Sequence, residues 1–196
     1  MHAVKRVSKR AIGRAIKRGF EIYYERTLGI SSGERNLTAP ASRNADATVL
    51  QPVSYVCLRR LLKYLRANTL IRGAFLDLGC GTGRVMAFMA RTGFDHVSGV
   101  EIDEKLAAAA RVNTRKYGCE VICGDASNYQ FRGTEKVIFL FNPFGPATLR
   151  EILPRVPEEA AIIFVNPSAA HLTELRNLRG REPQVFDWNP TTAIVR

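Results

Sequence analysis

The segment Phe75-Leu-Asp-Leu-Gly79-Cys-Gly81-Thr-Gly83-Arg84 constrains this chain more than any other part of it. A short apolar run ends in three glycines at alternate positions, and a helix-forming stretch begins at once. Glycine accepts positive φ and lets a ligand approach the backbone, while a helix start offers N–H groups without intrahelical partners. In open α/β sheets such turns lie at the carboxyl ends of the strands, where ligands bind. A turn of this kind can also serve only as a connector, so its surroundings must decide.

Those surroundings alternate strand and helix. Residues 74–78, 96–101, 119–123, 136–141 and 160–165 read as strands. Helices are expected over 84–91, from an N-cap at Asp103 to Tyr117 with Gly118 as terminator, and over 146–152 and 169–177. A strand pair near 184–188 and 191–195, joined at Asn189-Pro190, closes the pattern. Repeated alternation predicts a mostly parallel sheet with helices on both faces. With 196 residues, 46% of them hydrophobic, the chain has the size and composition of one ordinary domain.

Upstream of the glycines, a helix is expected from about Thr48 to Arg66, with Leu50, Val53, Cys57, Leu61 and Leu65 on one face. Pro52 falls in its first turn, where a missing N–H is tolerated. Residues 27–47 collect Gly, Ser, Asn and Pro without periodicity and read as a linker or surface loop. Before them, Val4, Val7, Ala11, Ile12, Ala15, Ile16, Phe20 and Tyr23 form a helical stripe over residues 3–26, with basic residues on the other faces. The division is thus a basic amphipathic helix and linker over 1–47 and an α/β domain over 48–196.

The acidic residues narrow the ligand. The dinucleotide fingerprint G-x-G-x-x-G needs a third glycine where this chain has Arg84, and no Tyr-x-x-x-Lys pair is present, so a nicotinamide-dependent oxidoreductase is a weak reading. Glu101 closes the second strand, placed to accept hydrogen bonds from both hydroxyls of a ribose. Asp125, in Gly124-Asp125-Ala126, follows the third strand at the same edge and can accept from an exocyclic adenine amine.

With DLGCGTGR (77–84), GVEID (99–103) and GDA (124–126) in this order, the sequence resembles the class I S-adenosylmethionine-dependent methyltransferases. The resemblance implies a Rossmann-like, seven-stranded sheet with the last strand antiparallel, and S-adenosylmethionine as cofactor. It further implies that Asp77 and the loop Gly79, Cys80, Gly81 and Gly83 hold the methionine end. Glu101 then holds the ribose, Ile102 packs on adenine, and Asp125 with Ala126 reads the adenine edge. The implied activity is methyl transfer to an unidentified acceptor, with a nitrogen on protein, RNA or a small molecule expected. The alternative is a non-catalytic module of the same fold that binds S-adenosylmethionine or RNA.

On the acceptor side, the fourth strand runs into Phe141-Asn142-Pro143-Phe144-Gly145. This resembles the Asn-Pro-Pro-aromatic loop of amino-group methyltransferases, without the second proline. In that family the Asn side chain and a proline carbonyl accept hydrogen bonds from the target nitrogen, while the aromatic ring packs on the substrate. Asn142, Pro143 and Phe144 are the acceptor-side candidates on that likeness. The other reading of the same residues has Asn142 capping the next helix and Phe144 in the core. A second Asn-Pro, Asn166-Pro167-Ser168, follows the fifth strand, with His171 either a general base or a structural residue. The two Asn-Pro turns, with Gln51-Pro52-Val53-Ser54-Tyr55 upstream, resemble a group of small methyltransferases without an assigned substrate.

Charge and cysteines bound the rest. The chain carries 29 Lys+Arg against 18 Asp+Glu, a net +11, which favours an anionic partner. Eight of those cations and two acids lie in residues 1–26, and the first 20 residues hold no acid at all. Residues 3–20 are therefore the segment for an anionic lipid surface or a nucleic acid, against plain docking or solvation of the helix. No apolar segment of secretory type follows them, although an Arg-rich, acid-free start is also the composition of a transit peptide. No apolar run reaches the roughly 20 residues of a membrane-spanning helix. Cys57, Cys80, Cys119 and Cys123 form no C-x-x-C pair, so buried reduced thiols in a cytoplasmic protein are expected, without a metal site.

Overall fold

The computed structural model describes residues 9–31, 52–141, 143–188 and 190–196. Seven strands form one sheet: β1 (Ala74–Leu78), β2 (His96–Glu101), β3 (Glu120–Cys123), β4 (Glu135–Phe141), β5 (Ala161–Val165), β6 (Gln184–Phe186) and β7 (Thr192–Val195). Their spatial order is β3-β2-β1-β4-β5-β7-β6, and β7 alone runs against its neighbours. This is the Rossmann-like arrangement expected of the class I methyltransferases, with the strand order switching direction between the parallel neighbours β1 and β4.

The helices are α1 (Lys9–Leu28), α2 (Tyr55–Ala67), α3 (Arg84–Met89), α4 (Glu104–Thr114), α5 (Pro146–Ile152) and α6 (Ala169–Arg179). Successive residues of a strand face opposite sides, so Phe75 and Phe139 enter one core layer while Leu76, Leu78, Ile138 and Leu140 enter the other. The first layer is closed by side chains of α1, α2 and α3, the second by those of α5 and α6. Expected boundaries hold closely in the sheet. Asp103 caps α4 by accepting from the Leu106 N–H at 2.9 Å, and Gly118, at φ 66°, ends the 3₁₀ turn that prolongs it.

Three expectations are corrected. The second helix starts at Tyr55 rather than near Thr48, because Ser54 supplies the cap through its side chain to the Cys57 N–H at 3.3 Å. Pro52 therefore precedes the helix, and the flanking backbone is held from outside: the Val53 carbonyl accepts from Arg84 and the Tyr55 N–H donates to Glu21. Thr48, Leu50 and Gln51 lie outside the described residues, as does most of the 27–47 segment.

The cysteines are free, but only Cys57 and Cys80 are buried; Cys123 ends edge strand β3 and is exposed.

The third correction concerns α1. Its docking face is not the apolar stripe but the line Glu21, Tyr24, Glu25 and Leu28. Arg84 reaches both acids at 2.6 Å, Tyr24 stacks on Tyr55 with centroids 4.8 Å apart, and Leu28 is buried. Ile16 and Tyr23, two members of the expected stripe, are 60% and 62% exposed. Val4 and Val7 lie outside the described residues.

Candidate active site at the carboxyl edge of the sheet

The glycine loop is bent back over its own sheet. The Gly79 and Cys80 N–H groups both donate to the Val100 carbonyl of β2, at 2.8 and 3.0 Å. Gly79, Gly81 and Gly83 all have positive φ, of 83°, 54° and 80°. At Gly79 a second constraint applies: a β-carbon there would meet the Pro143 β-carbon at 2.5 Å. The loop after β4 therefore rests directly on the loop after β1. Gly99 plays the matching part below, where a β-carbon would strike Met86 and Cys80.

Two carboxylates stand at this turn. Asp77, on β1, is 2% exposed and its Oδ2 has no hydrogen-bond partner. Burial, with the nearby Glu101 charge adding to it, pushes its carboxyl up to about 8. Glu101 ends β2 and is buried, which raises its carboxyl as well, but backbone groups oppose the shift. Its Oε2 accepts from the Gly81 N–H at 2.8 Å and its Oε1 from the Asp103 N–H at 2.9 Å. A carboxylate has about four acceptor sites, so these contacts leave it capacity for a hydroxyl donor. Glu101 thus ties the glycine loop to the start of α4 while facing the same edge.

Beside it, Ile102 is exposed at 42%. Asp125 follows β3, whose Cys123 pairs with Glu101, and its Oδ1 accepts from the Ser127 N–H at 2.8 Å as the cap of a 3₁₀ turn beginning at Ala126. Asp77, the three loop glycines, Cys80, Glu101, Ile102, Asp125 and Ala126 consequently lie along one sheet edge.

Across β1 and β4, the candidate acceptor loop is less uniform. Asn142 lies outside the described residues. Pro143 abuts Gly79 as above, and Phe144 is 8% exposed, its ring packed in the layer closed by α5 and α6. Phe141 pairs with Val165, so the turns after β4 and β5 start side by side. Asn166 takes a left-handed conformation, φ 59°, which asparagine tolerates better than most residues, and its N–H donates to the Thr191 carbonyl at 2.7 Å.

His171 joins the two turns. Its Nδ1 accepts from the Ser168 N–H at 3.1 Å, which places the proton of the neutral ring on Nε2. From there it donates to the Phe144 carbonyl at 3.2 Å. Both nitrogens of this buried ring are occupied, so the geometry gives the structural role rather than that of a base.

Two residues of the site had no signal in the motif. Arg84 reads in sequence only as a missing third glycine, yet it anchors α1 to the glycine loop. Asn113, near the end of α4, donates to the Thr82 and Ser31 carbonyls at 2.9 and 3.2 Å and so binds the exit of α1 to the same loop. An asparagine inside a helix is a weak hint of such a tertiary bond. Among the described residues, no group of three or more His, Cys, Asp and Glu side chains gathers as a metal site, and no helix is long and apolar enough to cross a membrane.

Comparison with known proteins agrees with this geometry. Residues 75–158 match the family model described as a methyltransferase domain. Ribosomal protein L11 methyltransferase of Dechloromonas aromatica is 35% identical over 74 residues, covering 38% of this chain and 25% of that protein. The enzyme of the same name from Aquifex aeolicus is 33% identical over 79 residues, or 40% and 31%. The chain thus spans about a quarter to a third of the length of these relatives. In fold it is similar to an RNA methyltransferase from Salinibacter ruber in complex with S-adenosyl-L-homocysteine, with a TM-score of 0.56 at 22% identity over 74% of this chain and 92% of that one. It is likewise similar to Thermoplasma acidophilum 1320, with a TM-score of 0.57 at 16% identity, over 91% and 94%. The strand order and the glycine turn with its two carboxylates are those of the class I, S-adenosylmethionine-dependent methyltransferase fold, and within it residues 75–158 match a methyltransferase domain.

Proposed function

We propose that the protein transfers a methyl group from S-adenosylmethionine to a nitrogen of a protein acceptor, and that residues 48–196 form the unit that does so. The observation that carries the cofactor's place is Asp77, a fully enclosed carboxylate with an unmatched oxygen at the end of β1. A buried anion held close to neutrality is stabilised by an incoming cation, and the methionine end of this cofactor bears an ammonium and a sulfonium. Glu101, already oriented by two backbone N–H groups, accepts from the ribose. Ile102 lies against the adenine, and Asp125 with Ala126 meets its edge.

When bound, S-adenosylmethionine supplies an electrophilic methyl group on sulfur. The chain's own part is orientation and exclusion of water, which can contribute most of the rate in such a displacement. Asn142 and Pro143 are assigned to accept hydrogen bonds from the target amine, directing its lone pair toward the methyl. Phe144 holds that loop from the core, with His171 fixing its carbonyl. Relatives named for a ribosomal protein support a protein as acceptor. The unpaired thiols support a cytoplasmic setting, and the basic helix α1 supports an anionic partner besides the acceptor.

Calorimetry with S-adenosylmethionine tests the first half: micromolar binding is expected, lost in Glu101→Ala, and its absence at any pH would overturn the reading. Transfer of labelled methyl into fractionated cell extract tests the second. Label in the protein fraction, resistant to base as a methylated nitrogen is, supports it; label confined to RNA or lipid redirects it.

A further inference from the structure

The way α1 is attached leaves its outer surface with an unusual composition. Both acids of the helix, Glu21 and Glu25, are turned inward onto Arg84. Its exposed charges, Lys17, Arg18 and Arg26, are all positive. Between them Ile16, Ile22 and Tyr23 are 60%, 42% and 62% exposed. Arg59 of α2 lies over the Phe20 ring, 5.7 Å from its centroid, so the neighbouring helix adds another cation beside this face. Toward the N-terminus the same charge sign continues, since the first 20 residues hold seven Lys+Arg and no acid.

A surface that only met solvent would not need three large apolar side chains outward. A nucleic acid would use the cations, but a phosphate backbone has no place for isoleucine. Isoleucine and tyrosine set among lysine and arginine match a membrane interface, where the apolar groups enter the acyl boundary and the cations stay at anionic headgroups. We infer that α1 is a docking surface for an anionic lipid bilayer, with Ile16, Ile22 and Tyr23 inserted and Arg18 and Arg26 at headgroup level. Because Arg84, at the end of the glycine loop, holds α1 through Glu21 and Glu25, a bilayer bound there holds the catalytic domain at the membrane surface.

This inference does not depend on the methyl acceptor. It is tested by flotation of the full chain with vesicles of phosphatidylcholine alone, or with about a quarter phosphatidylglycerol. Recovery with the anionic vesicles only is expected, falling about tenfold in the combined variant Ile16→Ser, Ile22→Ser, Tyr23→Ser. The three positions are exposed, so an unchanged melting curve and unchanged S-adenosylmethionine binding by the variant will show that the domain is intact. Equal recovery from both vesicle types would overturn the proposal. So would recovery on anionic vesicles that the triple variant retains, since cations alone would then account for it. A failure of cofactor binding in wild-type protein that still floats would count against the enzyme reading and leave this one standing.

Discussion

The Pro143 β-carbon lies 2.5 Å from the point where a side chain on Gly79 would begin. The loop after β1 and the loop after β4 are therefore in contact through one residue that cannot be enlarged. A methyl-transfer site requires its two ligands to meet at a fixed distance, and this contact sets the separation of the loops that would hold them.

Gly79→Ala should accordingly harm both stability and binding. Positive φ alone costs an alanine roughly 1–2 kcal/mol, and overlap with Pro143 adds to it. A melting temperature lower by about 5 °C or more is expected for a domain of this size, with weaker cofactor binding in calorimetry. An unshifted melt would show that the two loops are not packed as described.

Asp77 predicts a pH dependence. Its carboxyl is held at about 8, against about 4 in an unfolded chain. Between these values the unfolded chain loses the proton and the folded one keeps it. Stability of the ligand-free protein should thus fall as pH rises from about 4 to about 8 and then level. A bound cation favours the ionised form, so S-adenosylmethionine affinity should climb toward pH 8, by at most about tenfold per unit. Asp77→Asn should abolish that slope, weaken binding and raise the ligand-free melting temperature near neutrality. An affinity flat across this range in the wild type would remove Asp77 from the cofactor site.

Arg84 is the link between α1 and the glycine loop. Arg84→Ala removes two charge-assisted pairs and the cation lying 4.6 Å over the Tyr55 ring. Because the two acids keep partial access to water, a loss of about 2 kcal/mol is expected rather than the larger cost of a fully buried pair. Hydrogen exchange across residues 21–28 should rise in this variant and be little changed in Lys17→Ala.

His171→Leu should leave cofactor affinity near the wild-type value and lower kcat, because it frees the Phe144 carbonyl and the Ser168 N–H while touching neither carboxylate. If His171 were a base, its loss would also erase a titration from the pH–rate profile. Retention of that profile, with reduced kcat, distinguishes the positioning role.

The glycine turn, the strand-ending carboxylates and the strand–helix alternation were legible in sequence because each is a local requirement: positive φ, a chain reversal and period-two burial act within a few residues. Asp103 and Gly118 show the same at the two ends of the α4 region, where cap and terminator were read correctly. The start of α2 was not, since Ser54 and the outside contacts of Val53 and Tyr55 outweighed the apolar period that pointed upstream.

What the sequence by itself determined is the class I sheet and the line of residues along its carboxyl edge. What only the tertiary structure decided is how distant segments close on that edge: Pro143 against Gly79, His171 across two turns, and Arg84 against Glu21 and Glu25. An apolar stripe says that a helix has a greasy face, but not whether that face is turned in. The direction of α1 was decided by a buried guanidinium 59 residues beyond Glu25, whose need for two carboxylates outweighed the burial of Ile16 and Tyr23.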